Sequence, residues 1–132
     1  MTTSQHLFLI FGALYGLIGV AAGAFGAHFL KSKLSVDHLQ VFEVAVRYQM
    51  YHAFSLLFLT ILMGLLHSTW LTAAGALIII GIAVFSGSLY LLVLTGFSKW
   101  GAVTPIGGLL LLFGWLCILL GGIFGQSTNL SS

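Results

Sequence analysis

Four long apolar runs set the first limit on what this chain can fold into. They cover roughly residues 7–28, 45–66, 70–95 and 105–125, with short polar stretches between them. A helix needs about 20 mostly apolar residues to cross the hydrocarbon core of a bilayer, and each run is long enough. The runs also lack the alternation of apolar and polar residues that marks the strands of a membrane barrel. The sequence therefore predicts an all-α membrane protein, a compact bundle of four transmembrane helices.

The composition supports this prediction, because 60% of the 132 residues are hydrophobic and only 5% are charged. Soluble domains carry about 25% charged residues, and a small domain has too little interior to hide so much apolar surface. The net charge of +2 comes from scattered residues, which argues against a nucleic-acid partner. We expect the lipid bilayer to surround the helices, and Cys117 to be a buried, inert thiol.

The second apolar run is preceded by an amphipathic segment, residues 35–46. Ser35 or Asp37 can cap the start of a helix there, and apolar residues follow at helical spacing. We therefore expect a helix that begins at the membrane surface and continues into the bilayer. Together with the other three spans it would form one transmembrane domain over residues 1–132.

The small residues of AAGAFGA (21–27) could also mark a signal-peptide cleavage site. Residues 1–6, however, contain no Lys or Arg, and the apolar run that follows is long for a signal peptide. We expect residues 7–28 to be retained as the first span.

The basic residues predict the orientation of the bundle. All four Lys and Arg residues flank the loop between spans one and two or lie in the loop between spans three and four. Positively charged loops favour the cytoplasmic side of a membrane. We expect cytoplasmic loops at residues 31–42 and 96–103 in the plasma (inner) membrane, with both termini facing outward.

Glycines at helical spacing predict where the helices pack. A glycine removes a side chain, so that a neighbouring backbone can come close. In the first span the spacing alternates between four and three residues, and in spans three and four small residues recur every seven residues, which favours left-handed crossings of about 20°. The predicted packing glycines are Gly12, Gly16, Gly19, Gly23, Gly26, Gly81, Gly107, Gly114 and Gly121.

Polar residues collect in the half of the predicted bundle that faces the cytoplasm. The stretch RYQMYHAFS (47–55) carries several of them into the second span, and the other spans add more at a similar level. Such residues can anchor helices at the interface or bond between helices, but ionisable groups within a span also suggest a functional site. The candidate cluster consists of His28, Arg47, Tyr48, Tyr51, His52, Ser55, Ser86, Ser88, Tyr90 and Thr104.

His28 and His52 are the two residues of this cluster that most suggest a site. We expect both to lie within bonding or bridging distance of residues 86–90, where they could hold a metal, a haem, a quinone headgroup or a lipid phosphate. Two histidines are a weak metal signal, so no metal or cofactor is assigned. The sequence also lacks paired carboxylates, phosphate-binding loops and nucleophile signatures, and we expect no enzymatic activity.

Four motifs resemble those of a known family of small membrane proteins. GAFGAH (23–28), RYQMYHA (47–53), FSGSLYLL (85–92) and TPIGG (104–108) are similar, in this order, to the family called domain of unknown function 423, whose eukaryotic relatives are the transmembrane protein 256 group. The resemblance spans nearly the whole chain and implies a four-span inner-membrane protein. It implies no reaction, because the family lacks an established activity.

The leading hypothesis for function is a non-enzymatic accessory or scaffold subunit that assembles with itself or with another membrane protein. Its basis is the small size, the short loops and the glycine-rich helices. One alternative is a small solute or ion transporter in which His52 relays protons, since the spans contain no buried carboxylate. The other is a ligand-binding or cofactor-binding membrane protein that uses His28 and His52.

Overall fold

Four long helices make up almost all of the computed structural model, which describes residues 1–128. They are α1 (Thr3–Leu30), α2 (Val36–Leu65), α3 (Thr69–Thr95) and α4 (Thr104–Phe124). Each is long and apolar enough to span a bilayer. The predicted fold class is confirmed. The last four residues of the predicted domain, 129–132, lie outside the described residues.

Local chemistry explains where the helices begin and end. The hydroxyls of Ser35 and Ser68 accept hydrogen bonds from the first-turn backbone of α2 and α3, which would otherwise lack partners. Gly96 ends α3 with a φ of 71°, a left-handed conformation that glycine adopts without a Cβ clash. Pro105 lies in the first turn of α4, where its missing N–H leaves no helical hydrogen bond unmade.

Helix α1 changes its winding near its end. Its α-helical parts, Thr3–Ala21 and Ala27–Leu30, are separated by a π-helical turn at Ala22–Gly26. A π-helical turn adds a residue to the helix and rotates the side chains that follow it. The face that α1 presents after residue 26 therefore differs from the one that regular spacing predicts.

The connections between helices are short. Residues 31–35 join α1 to α2, so the expected loop at 31–42 is shorter than predicted, and the lead-in 35–46 is continuous with the spanning helix. A 3-10 turn, Ser98–Ala102, lies between α3 and α4. Two short strands, β1 (Leu66–His67) and β2 (Gln126–Ser127), pair antiparallel and tie the end of α4 to the α2–α3 link.

Helices α2 and α3 lie at the centre of the bundle, and α1 and α4 pack on either side of this pair. Helix α1 packs mainly on α2, α2 packs on α3, and α4 packs mainly on α3. The buried apolar core consists of Phe8, Leu56, Leu59, Leu71, Ala74, Ile78, Ile82, Leu111 and Cys117. Burial of the Cys117 thiol agrees with the sequence prediction. The outer faces carry exposed Leu, Ile and Phe side chains, as expected where lipid surrounds the helices.

Most of the predicted packing glycines lie against a neighbouring helix. A Cβ added to Gly107 would lie 2.6 Å from the Cα of Phe85, and one added to Gly114 would lie 2.7 Å from Cγ1 of Ile78. Close approach of α4 to α3 thus requires glycine at these two positions. Gly12 and Gly19 of α1, Gly81 of α3 and Gly121 of α4 make similarly close contacts. An added Cβ would lie 3.2 Å from Val46 at Gly23 and 3.1 Å from Phe42 at Gly26, which a small shift of those side chains would relieve.

Gly16 departs from the predicted packing surface. A Cβ added there would meet nothing within 4 Å, so the expectation that Gly16 packs against another helix was wrong. At about 100° per residue, Gly16 lies about 60° around the helix axis from Gly19, which faces Met50. That rotation moves Gly16 off the α2 side of α1 and onto an open surface.

Candidate functional site

Gln49 is the centre of a polar network in the interior of the bundle. The residue lies on α2 and is only 2% exposed. Its Nε2 donates to the carbonyl oxygen of Tyr15 in α1 at 2.8 Å, and its Oε1 accepts from the hydroxyl of Tyr90 in α3 at 2.6 Å. The hydroxyl of Tyr15 donates to the carbonyl oxygen of Ile79 at 2.8 Å. This Gln49 network therefore connects α1, α2 and α3, and both ends of the buried amide are bonded.

The two candidate serines of α3 bond in different directions. Ser86 donates to the carbonyl oxygen of Ala45 in α2 at 2.7 Å. The hydroxyl of Ser88 lies 2.6 Å from that of Thr104 at the start of α4, and it also donates to the carbonyl oxygen of Phe85 at 2.9 Å. These bonds attach α3 to both of its neighbours, in the way that hydroxyls stabilise helix contacts in membranes.

His52 bonds to α4 and not to α3. Its Nδ1 lies 2.6 Å from the carbonyl oxygen of Tyr48, and its Nε2 accepts a hydrogen bond from Nε1–H of Trp115 at 2.9 Å. Since Nε2 is the acceptor, the proton lies on Nδ1 and both ring nitrogens of the imidazole are bonded. The side chain is 5% exposed, and its ring stacks on that of Tyr48 at a centroid distance of 6.2 Å.

A cavity of about 430 Å³ opens beside the His52–Trp115 pair. Ligand pockets in proteins commonly have volumes of about 300–1,000 Å³. The cavity lies among α2, α3 and α4, and its mouth is on the lipid-facing side, since several lining side chains are exposed. We call it the aromatic cavity, and its lining residues are Tyr48, Tyr51, His52, Phe85, Gly108, Leu111, Leu112 and Trp115.

The structure does not bring His28 to His52, and this part of the prediction was wrong. His28 is exposed near the end of α1, and its side chain has no hydrogen-bond partner among residues 1–128. The nearby Gly26 faces Phe42, which precedes His52 by about 15 Å along α2. The interhelical hydrogen bond of the His52 ring is the one to Trp115 of α4.

The remaining candidates have separate surroundings. Arg47 is exposed beside a shallow groove between α1 and α2, which includes Glu43. Ser55 donates to the carbonyl oxygen of His52 at 2.7 Å, a bond within one helix. Tyr48 and Tyr51 line the aromatic cavity. In the part of the chain that the structure describes, no three His, Cys, Asp or Glu side chains are grouped as metal ligands.

Sequence reasoning missed several of the residues that organise these bonds. Gln49 stood in the quoted stretch but was not assigned a role, although an amide within a span needs partners in lipid. Trp115 lies in the middle of an apolar run rather than at its end, where interfacial aromatics are expected, so its N–H also requires an acceptor. A third missed residue is Gln5, whose Nε2 donates to the carbonyl oxygen of Thr60 at 2.9 Å.

Comparison with known proteins gives a consistent result. The sequence model of a family described as "Protein of unknown function (DUF423)" matches residues 22–108. The chain is 47% identical over 118 residues to a UPF0382 membrane protein of Staphylococcus haemolyticus, covering 88% of this chain and 94% of the relative. It is 42% identical over 120 residues to the UPF0382 membrane protein YwdK of Bacillus subtilis, covering 90% and 98%. No solved structure shows significant similarity.

Proposed function

Because this chain belongs to the DUF423 family of membrane proteins, whose function is unknown, we propose that it is a non-enzymatic accessory or scaffold subunit. Its interactions would lie within the bilayer, with a second copy of the chain or with another membrane protein. The short links of residues 31–35 and 66–68 support this proposal, since they offer little surface for a soluble partner.

One observation carries the proposal. Within residues 1–128, each buried side-chain nitrogen or oxygen has a hydrogen-bond partner in the chain itself. A catalytic acid, base or nucleophile must be accessible to a substrate, and Gln49 and Ser86 are buried. Gln49 and Ser86 are instead engaged between helices. These bonds support a role for the polar residues in holding the bundle together.

The partner surface would be on the outer sides of α1 and α4. Each of these two helices packs mainly against one other helix, so each has a side without a neighbour from this chain. On the outer side of α1, Gly16 has nothing within 4 Å of an added Cβ. A neighbouring helix could approach closely at this position.

Photo-cross-linking in the native membrane tests this proposal. A photoreactive residue would replace Leu17 on the outer side of α1 or Leu109 on that of α4, with the buried Leu59 as a control position. We expect a discrete protein adduct from at least one outer position and none from position 59. Adducts to lipid alone from both outer positions would contradict the scaffold function.

We also propose that the protein lies in the plasma (cell inner) membrane with the links at 31–35 and 96–103 in the cytoplasm. The Lys residues at these links and the positive-inside bias support this orientation. In a protein with Cys117 replaced by Ala, the Lys99→Cys variant should resist a membrane-impermeant thiol reagent added from outside. The His67→Cys variant should react with it. The reverse pattern would overturn the orientation.

A further inference from the structure

We propose that the aromatic cavity binds a lipid-soluble molecule with a flat, oxygen-bearing ring, such as a quinone-type headgroup, that enters sideways from the bilayer. This site goes beyond the proposed scaffold role and does not depend on it. The inference concerns binding only and assigns no reaction to the ligand.

The position of the cavity favours a ligand that is dissolved in lipid. His52 lies about 24 Å from the start of α2 at Val36 and about 20 Å from its end at Leu65, which places the cavity near the middle of the helix. The side chains of Tyr51, Leu112 and Trp115 at its mouth are 55%, 65% and 48% exposed. A molecule already in the hydrocarbon region can therefore reach the cavity without crossing a polar surface.

The walls favour a ring over a plain acyl chain. The rings of Tyr48 and Phe85 lie 4.9 Å apart, those of Tyr48 and Tyr51 lie 6.0 Å apart, and His52 and Trp115 meet edge to face at 5.9 Å. Aromatic side chains attract a further ring through offset or edge contacts in addition to the gain from the buried area. A saturated chain gains only the area term.

The tyrosine hydroxyls divide into two groups. Of the four tyrosines in the chain, Tyr15 and Tyr90 use their hydroxyls in the Gln49 network. The hydroxyls of Tyr48 and Tyr51 have no hydrogen-bond partner among residues 1–128, and both residues line the aromatic cavity. A hydroxyl without a partner in lipid is unfavourable, so each can gain by donating to a ligand oxygen.

The His52–Trp115 pair forms a fixed wall of the site that runs from the buried His52 to the exposed Trp115 at the mouth. Because Nε2 of His52 is already bonded to Trp115, the imidazole holds the indole in place instead of bonding the ligand. Trp115 is then a natural reporter, because a quinone ring next to an indole quenches its fluorescence. The other two tryptophans, Trp70 and Trp100, can be replaced by Phe to leave this single signal.

The test is a fluorescence titration of that single-tryptophan protein in lipid nanodiscs with decyl-substituted benzoquinone. Gly108→Leu fills the cavity, since an added Cβ there meets only the Phe85 ring, at 3.9 Å. Gly122→Leu is the matched control on α4, because an added Cβ meets nothing within 4 Å. We expect saturable quenching that is weakened at least about tenfold by Gly108→Leu and is unchanged by Gly122→Leu.

A second variant keeps the proposal testable if Gly108→Leu fails to fold. Tyr51→Phe keeps the ring and removes the hydroxyl, and we expect it to weaken binding about fivefold, the value of one hydrogen bond of about 1 kcal/mol. Non-saturable quenching of equal strength in all variants would overturn the proposal. So would displacement of the bound benzoquinone by an equal concentration of decyl-substituted benzene, which lacks the ring oxygens.

Discussion

Gln49 and His52 lie three residues apart on α2, yet they face two different kinds of surroundings. The Gln49 amide is enclosed by α1 and α3, and both of its ends are bonded. His52 turns toward α4, where its bond to Trp115 lies beside a cavity that is open to lipid. The comparison shows that polar residues of one helix can bond neighbouring helices on one side of a bundle while a cavity exposed to lipid remains on the other side.

Adjacent glycines on α4 give the largest expected contrast between the closed and open sides. Gly107→Ala forces a methyl group against the backbone of Phe85, whereas Gly108→Ala places it at the edge of the aromatic cavity. We expect Gly107→Ala to lower the free energy of unfolding by about 2–3 kcal/mol, as overpacking does. Gly108→Ala should change it by less than about 0.5 kcal/mol. Detergent-induced unfolding followed by circular dichroism measures both, and equal losses would remove the distinction.

Gln49→Leu is expected to have the next largest effect. It leaves the hydroxyl of Tyr90 and the carbonyl oxygen of Tyr15 without their partner in a dry interior, so we expect a loss of about 1–2 kcal/mol in the free energy of unfolding. Gln40→Leu, at an exposed position of the same helix, is the control and should have little effect. Equal effects of the two substitutions would show that the Gln49 network does not stabilise the bundle.

Trp115→Phe tests the bond on the open side. It keeps an aromatic ring in the wall of the cavity but removes the donor to Nε2 of His52. Interhelical hydrogen bonds in membranes average about 0.6 kcal/mol, and we expect a loss in the free energy of unfolding of that size. The loss should be smaller than that of Gln49→Leu, because another hydrogen-bond donor can reach Nε2 of His52 through the cavity. A loss larger than that of Gln49→Leu would mean that His52 is as inaccessible to other donors as Gln49.

Two tyrosine substitutions give the sharpest contrast. Tyr90→Phe removes the hydroxyl that donates to Gln49, and we expect it to lower the free energy of unfolding by about 1 kcal/mol. Tyr51→Phe removes a hydroxyl without a partner in the described part of the chain, and we expect a change below about 0.5 kcal/mol. The same unfolding titration compares them. A loss from Tyr51→Phe as large as that from Tyr90→Phe would contradict the division of the tyrosines.

The helices could be predicted from the sequence because span length and apolar composition are local properties. The glycine spacing also predicted close packing, since the missing side chain allows close approach wherever two helices meet. Gly16 was the exception because the orientation of α1 decides which glycines face α2. The spacing of residues alone does not contain that rotation.

The composition of the site could be predicted only in part. His52, Tyr48 and Tyr51 were recognised as polar or aromatic residues within a span, and all three line the aromatic cavity. Trp115, the hydrogen-bond partner of His52, was not recognised, because the order in which the helices pack decides which residue His52 contacts. His28 was wrongly joined to the cluster for the same reason, since α1 packs on α2 away from the side of α4.

Native mass spectrometry of the protein, gently extracted from its own membrane, tests most directly whether the open side of the bundle is a binding site. The Gly108→Leu and Gly122→Leu variants would be measured beside the unmodified chain. We predict a discrete small-molecule mass on the unmodified protein and on Gly122→Leu that is lost from Gly108→Leu. A bare chain in all three samples, or an added mass that Gly108→Leu keeps, would contradict the account.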